Sequence, residues 1–395
     1  MAEQLVGLLR GVTKVAIIVT LLLVTLPPTA IYHVFTYLYR RPPYSLKRHV
    51  IANLMRVAGT NASRVTLPPR DATAAMIPKN KYTTSPEWTV EVRMVQPLDA
   101  DVPRLPIIKQ VGDKVKGAPV PVFMVAPAGT DLFARAAPGE RVVLHTIGGA
   151  YVGGHPLSEH IVFNMTKVMK GRLCTVNYRK SLDDASAFPG SLLDSLAGWQ
   201  FLIKLGFEPK NITLAGESAG GNACLALMRY LDDLQQSGYD KLGLAGGMLL
   251  SAPWSDLTSS FPSIQTNKHS DILFDLTAAC VPSHIRHYGK GAARGPYFSP
   301  ALHPNDEHWR HLAQAGVIVH INGGDAEAFF DEISSVVRAM KTAGVDVTFL
   351  KLPNGVHTDY VLKDLGILSP DIGYTWPAVK QDWIEYFEAL DKRGY

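Results

Sequence analysis

The residues of this chain whose types and spacing could do chemistry are Ser218, His357 and a carboxylate at Asp325 or Glu327. Ser218 lies in Gly216-Glu217-Ser218-Ala219-Gly220, between an apolar run at 212–215 and a helical pattern over about 222–231. A serine between strand and helix takes a strained backbone, and glycines two residues to either side remove the side chains that would collide there. The N-terminus of the following helix would offer the Ala219 N–H and its dipole to a developing oxyanion. Such a serine is a nucleophile for acyl transfer once a base removes its proton and a carboxylate orients that base. Of the thirteen histidines, only His357 follows the last expected strand in a glycine-containing loop, which makes it the expected base. After an earlier strand, 317–321, both Asp325 and Glu327 could reach the Nδ1 side of His357, although Asp325 also suits a turn or cap. The residues alone leave the acid open.

The elements that must position these groups alternate. Strand patterns run at 88–94, 120–125, 141–147, 173–178, 212–215, 247–254, 317–321 and 345–352, with helices at 191–205, 331–342 and 378–390. Strand and helix in turn predict an α/β fold with a largely parallel sheet. At the end of strand 141–147 comes Gly148-Gly149-Ala150-Tyr151-Val152-Gly153-Gly154. A phosphate loop would need a following lysine-serine pair or an acidic ribose ligand, and neither is present. The better reading is a loop presenting the Gly148 and Gly149 N–H groups to an oxyanion together with Ala219. Tyr151 and Trp254 are the expected substrate contacts, and His145, His155 and His160 are further candidates for the pocket lining. No helical His-x-x-x-His with a third ligand suggests a metal, and no cofactor is expected.

Gly148-Gly149-Ala150-Tyr151, Asn177-Tyr178-Arg179, Phe188-Pro189-Gly190-Ser191-Leu192-Leu193-Asp194 and Gly216-Glu217-Ser218-Ala219-Gly220-Gly221 occur in the order and spacing of the hormone-sensitive-lipase group of α/β-hydrolases. The resemblance runs from about residue 141 to 357. Within that group the chain looks most like the membrane-anchored steryl acetyl hydrolases, arylacetamide deacetylases and related fungal hydrolases. The resemblance implies an α/β-hydrolase fold with a mostly parallel central sheet, flanking helices and a cap, to which segments 44–88 and 256–296 would contribute. It also implies a serine esterase acting through an acyl-enzyme on a short-chain, acetyl-like ester of a hydrophobic alcohol. A tailoring hydrolase, transacylase or cyclase of secondary metabolism, and a non-catalytic ligand binder, are the alternatives. The family's acid lies four residues before an acidic pair that begins the next helix, and Asp331-Glu332 makes that residue Glu327. The chain departs from the family's H-G-G-G, with Ile147 at the histidine and Ala150 at the third glycine.

At 395 residues, 47% hydrophobic and 19% charged, the chain can bury a core of the size one large α/β domain needs. A net charge of +4 without basic blocks interleaved with aromatics argues against nucleic acid as a partner. Three scattered cysteines, Cys174, Cys224 and Cys280, are too few for a disulfide framework. After a tail at 1–14, residues 15–39 carry no formal charge and end in Tyr32, Phe35, Tyr37 and Tyr39 before Arg40-Arg41. This is the pattern of a single transmembrane anchor with an aromatic belt, leaving 40–395 as the hydrolase domain. A hairpin turning at Pro27-Pro28, a cleaved signal and a buried helix compete with it. The basic residues after the segment favour a cytosolic domain, whereas the resemblance implies the endoplasmic reticulum with a luminal domain. Of the sequons at Asn61, Asn164 and Asn211, Asn61 is the one expected to be accessible to glycosylation.

Overall fold

In the computed structural model, residues 21–40, 42–62, 75–273, 276–365 and 369–394 are described. Eight strands form one sheet: β1 (Trp88–Val95), β2 (Val120–Pro127), β3 (Val142–Thr146), β4 (Arg172–Val176), β5 (Ile212–Glu217), β6 (Gly247–Ser251), β7 (Ile318–Gly324) and β8 (Asp346–Leu352). Their order is β1-β2-β4-β3-β5-β6-β7-β8. β2 pairs antiparallel with both β1 and β4, and every pairing from β4 through β3 to β8 is parallel. The central strands β3 to β7 are buried along their whole length, which is why they read as continuous apolar runs rather than alternations.

Helices cover both faces. Ile161–Met169 (α3) and Trp376–Lys392 (α8) supply Phe163, Trp383 and Tyr386 to the core on one side. Gly190–Lys204 (α4), Ala219–Gln236 (α5), Glu307–Gln314 (α6) and Phe330–Thr342 (α7) supply Trp199, Met228, Trp309 and Met340 to the core on the other. The parallel strands therefore end together at one edge of a three-layered body, where the loops after β3, β5, β7 and β8 meet. α5 runs to Gln236, five residues beyond the sequence expectation, because its buried stripe continues through Leu231 and Leu234.

The N-terminal part is helical from Leu21. An irregular π-turn over Leu21–Thr25 leads into Leu26–Arg40 (α1), since Pro27 and Pro28 lack the N–H groups that would continue a regular ladder behind them. The chain does not turn back at these prolines. α1 packs on Leu46–Ala62 (α2), with the Thr36 hydroxyl 3.2 Å from His33 Nδ1 and 3.1 Å from His49 Nε2. α2 is tied to the body where Ser45 donates its N–H and hydroxyl to Asp371, Arg48 donates to the Asn354 carbonyl, and Asn53 donates to the His269 carbonyl. Among the described residues no helix is long and apolar enough to cross a membrane. The first part of the expected anchor, 15–20, lies outside the described residues, as does 63–74 of the expected cap segment. Among the described residues, the insertion after β6 holds short helical turns, Ser263–Thr266, Leu276–Ala279, Val281–His284 and Lys290–Arg294.

Candidate active site

Ser218 sits between β5 and α5 at φ 55° and ψ −122°, a left-handed backbone that a side chain tolerates only when its surroundings impose it. They do: the Ser218 N–H donates to the Ser251 carbonyl at 3.0 Å, and the Trp254 N–H donates to the Ser218 carbonyl at 3.0 Å. A Cβ on Gly216 would stand 2.6 Å from the Gly220 carbonyl, and one on Gly220 would strike the Thr146 carbonyl. The two glycines are required by close approach of three backbone segments.

The serine opens into a cavity of about 480 Å³ shared with Glu217, Gly149 and His357 and walled by Ile147, Leu273 and Val361. His357 is buried, and burial alone lowers its pKa from 6.5 to about 3, so the imidazole rests neutral. Its Nδ1 faces Glu327 Oε2 at 4.0 Å, longer than a hydrogen bond, and neither His357 Nδ1 nor Glu327 Oε1 has another partner among the described residues. Resting hydrogen bonds of a catalytic base are often this long and tighten when substrate arrives. Glu327 is held well above the carboxylate range, first by burial and then by the charge of Asp271, with the Gly324 N–H working against both. Asp325 points elsewhere, accepting from the Asn354 N–H and pairing with Lys351 at 3.3 Å. The structure therefore brings Glu327, and not Asp325, to the histidine.

The loop after β3 departs from the sequence expectation in one donor. The Gly148 N–H donates to Glu217 Oε1 at 2.6 Å, so it is committed to the elbow's own carboxylate and is withdrawn from the oxyanion set. The second Glu217 oxygen meets His145 Nε2 at 2.9 Å, and His145 Nδ1 meets the Thr175 hydroxyl at 2.8 Å. His145 thus braces Glu217 from below and does not line the cavity. Gly149 at φ 109° would drive a Cβ to 2.5 Å from the Gly153 carbonyl, and its N–H, like that of Ala150, has no hydrogen bond among the described residues. Ala219 is the first residue of α5, where the N–H has no partner within the helix. Tyr178 donates to the Ile147 carbonyl at 2.6 Å, which pins the loop through its main chain.

Both expected substrate contacts are corrected. Ala150 and Tyr151 are left-handed, at φ 53° and 62°, and the Tyr151 ring lies inside the protein, stacked on His284 at 3.8 Å with its hydroxyl donating to Asn222 Oδ1 at 2.7 Å. Trp254 is equally buried, stacked on Phe329 at 5.9 Å with its indole N–H donating to the Asp256 carbonyl. Neither lines the cavity. His155 packs against Phe123 and His160 against Trp376; both lie outside the lining. Sequence reasoning missed two contributors, Glu217 as the brace of the glycine loop and Asp271 in the insertion. Glu217 stands inside the elbow motif and was legible as a polar neighbour of the serine.

A strained serine at a strand–helix junction, in a doubly covered parallel sheet with a histidine after the last strand, defines an α/β-hydrolase. Residues 142–361, just over half of the chain, match the family described as alpha/beta hydrolase fold, and the chain belongs to that family. It is similar to an acetyl-hydrolase of Streptomyces hygroscopicus, at 28% identity over 55% of this chain and 67% of that protein. An esterase of Acinetobacter venetianus is 24% identical over 42% of this chain and 52% of its own length. A Schizosaccharomyces pombe protein named as a candidate steryl acetyl hydrolase is 28% identical over 33% of this chain and 36% of its own. The alignments thus span about two thirds, half and a third of these relatives. Among solved structures, an esterase from the bacterial hormone-sensitive lipase family superposes with a TM-score of 0.60 at 19% identity, covering 90% of this chain and 100% of that one; at such identity the likeness is one of fold.

Proposed function

We propose that the chain is a carboxylic ester hydrolase in which Ser218, His357 and Glu327 form the catalytic triad, acting on a short-chain ester of a hydrophobic alcohol such as a sterol or another lipophilic metabolite. The observation that carries this reading is the strained Ser218 at the head of α5 in a cavity it shares with His357, whose far side faces a buried carboxylate. His357 takes the proton of Ser218 Oγ as the oxygen adds to the ester carbonyl, and the N–H groups of Gly149 and Ala219, with Ala150 next in the loop, receive the oxyanion. Collapse of the adduct breaks the ester C–O bond, and the proton on His357 leaves with the alcohol. Water, deprotonated by the same histidine, then releases the acid and restores the serine. Glu327 orients the imidazole, and its ionisation, disfavoured at rest by burial and by Asp271, becomes favoured once the imidazolium forms beside it.

The apolar wall of the cavity supports a hydrophobic substrate, and the names of the relatives support an acetyl-like acyl group. A series of p-nitrophenyl esters from acetate to laurate tests this: kcat/KM is expected to fall beyond butyrate, and a maximum at laurate would refute a short acyl group. The membrane reading rests on the apolar sequence at 15–39 and on exposed Leu23, Ile31, Phe35 and Leu38. Alkaline carbonate is then expected to leave the full-length chain in the membrane pellet, and its recovery in the supernatant would refute the anchor.

A further inference from the structure

The insertion after β6 carries one carboxylate that the triad does not use. Asp271 is fully buried, and its oxygens collect three main-chain donors: Oδ1 accepts from Ile272 at 2.7 Å and from His357 at 2.8 Å, and Oδ2 accepts from Ala328 at 2.7 Å. Those donors belong to three segments, the insertion itself, the loop that carries the triad base, and the residue next to the triad acid.

We propose that Asp271 is a positioning residue of this active site, holding the loops of Glu327 and His357 in register with each other and with the cap. The proposal rests on the triad reading above and extends it. A merely structural tie at this place would not favour an anion. Burying a second carboxylate beside Glu327 costs stability, because each disfavours the ionisation of the other. What a carboxylate supplies and an amide cannot is two acceptor oxygens for three N–H groups.

The surroundings act on the carboxylate's charge in both directions. Burial raises the Asp271 pKa from 3.8 to about 6, while the N–H groups of Ala328, His357 and Ile272 and the Arg56 guanidinium of α2 pull it down. Arg56 of α2 acts on the Asp271 charge, and that charge in turn raises the pKa of Glu327 in the acid loop. α2 also holds the base loop directly, through Arg48 and the Asn354 carbonyl. Seating of the cap and of α2 is in this way linked to the orientation of the base.

The test compares Asp271→Asn with Asp256→Asn in the full-length protein. Asp256 is a buried carboxylate of the same insertion whose side-chain oxygens, among the described residues, accept from Thr258 and Ser260 alone, within its own loop. With p-nitrophenyl acetate, Asp271→Asn is expected to lower kcat at least tenfold with KM within twofold, whereas Asp256→Asn lowers the melting temperature as much or more and keeps kcat within twofold. Hydrogen exchange supplies a readout independent of turnover: Asp271→Asn is expected to raise exchange at both 326–330 and 354–358, which Asp256→Asn leaves protected. A kcat for Asp271→Asn within twofold of wild type, or unchanged protection in both segments, overturns the proposal. If the wild-type protein cleaves no ester but the exchange difference appears, the functional reading has failed and the positioning role stands.

Discussion

Replacing Glu217 separates the brace of the glycine loop from the nucleophile beside it. The carboxylate receives the Gly148 N–H at 2.6 Å on one oxygen and meets His145 Nε2 at 2.9 Å on the other. In Glu217→Ala both groups stay buried without a partner, at about 1–3 kcal/mol each, so the loss is roughly 2–6 kcal/mol before any cavity term. Against a total stability of about 5–15 kcal/mol for a typical domain, that brings the variant close to unfolding. Glu217→Gln keeps the shape: its carbonyl oxygen can still accept from Gly148, and its amide can donate to His145 Nε2 if the imidazole proton moves to Nδ1 and is donated to the Thr175 hydroxyl. The cost is then the difference between charge-assisted and neutral hydrogen bonds, about 1–2 kcal/mol. Urea unfolding at neutral pH should therefore rank wild type above Gln above Ala. Because Gly148 precedes the oxyanion donors, kcat for p-nitrophenyl acetate should fall in the same order. An alanine variant within about 0.5 kcal/mol of wild type, or a glutamine variant below alanine, would refute the bracing argument, since an intact brace costs at least one buried bond.

Two further outcomes follow from the geometry of the acid loop and from a buried ring. Glu327→Gln should cut kcat by roughly 10³-fold or more, while Asp325→Asn, which loses the Lys351 pair, keeps kcat and lowers the melting temperature; the reverse pattern in steady-state kinetics would move the acid to Asp325. His284 is neutral in the fold because burial lowers its pKa from 6.5 to about 3. Below pH 6.5 the unfolded chain binds a proton there that the fold does not, so stability is lost as pH falls from 6.5 toward 3, by about 1.4 kcal/mol per pH unit. In His284→Gln the drop in unfolding free energy between pH 7 and pH 4.5 should be smaller than in wild type by up to about 2.7 kcal/mol, and equal drops in denaturant titrations would show that His284 is not held neutral.

The features legible in the sequence were those written in local pattern. The eight strands announced themselves as apolar runs or alternations, and the elbow as a serine between glycines at a change of period. Tyr151 and Trp254 stand at motif positions beside the cavity, but an aromatic there reads the same whether its ring enters the cavity or packs beneath it. Two left-handed residues and the Asn222 contact send Tyr151 inward. The Gly148 donor was misread because its partner is fixed by tertiary contact, through Glu217 and His145 from neighbouring strands. Asp271 gave no signal at all. It sits in an aperiodic insertion, and its three donors come together only when the loops after β7 and β8 meet the cap.

The central claim is that Ser218 is the nucleophile, and intact-protein and peptide mass spectrometry after treatment with a fluorophosphonate tests it most directly. One adduct is expected, on the peptide containing Ser218, with ester hydrolysis lost in parallel and both abolished in a folded Ser218→Ala protein, whose kcat/KM should drop on the order of 10³-fold or more. Labelling at another residue, or a Ser218→Ala protein that keeps more than about a tenth of wild-type kcat/KM, would contradict the account.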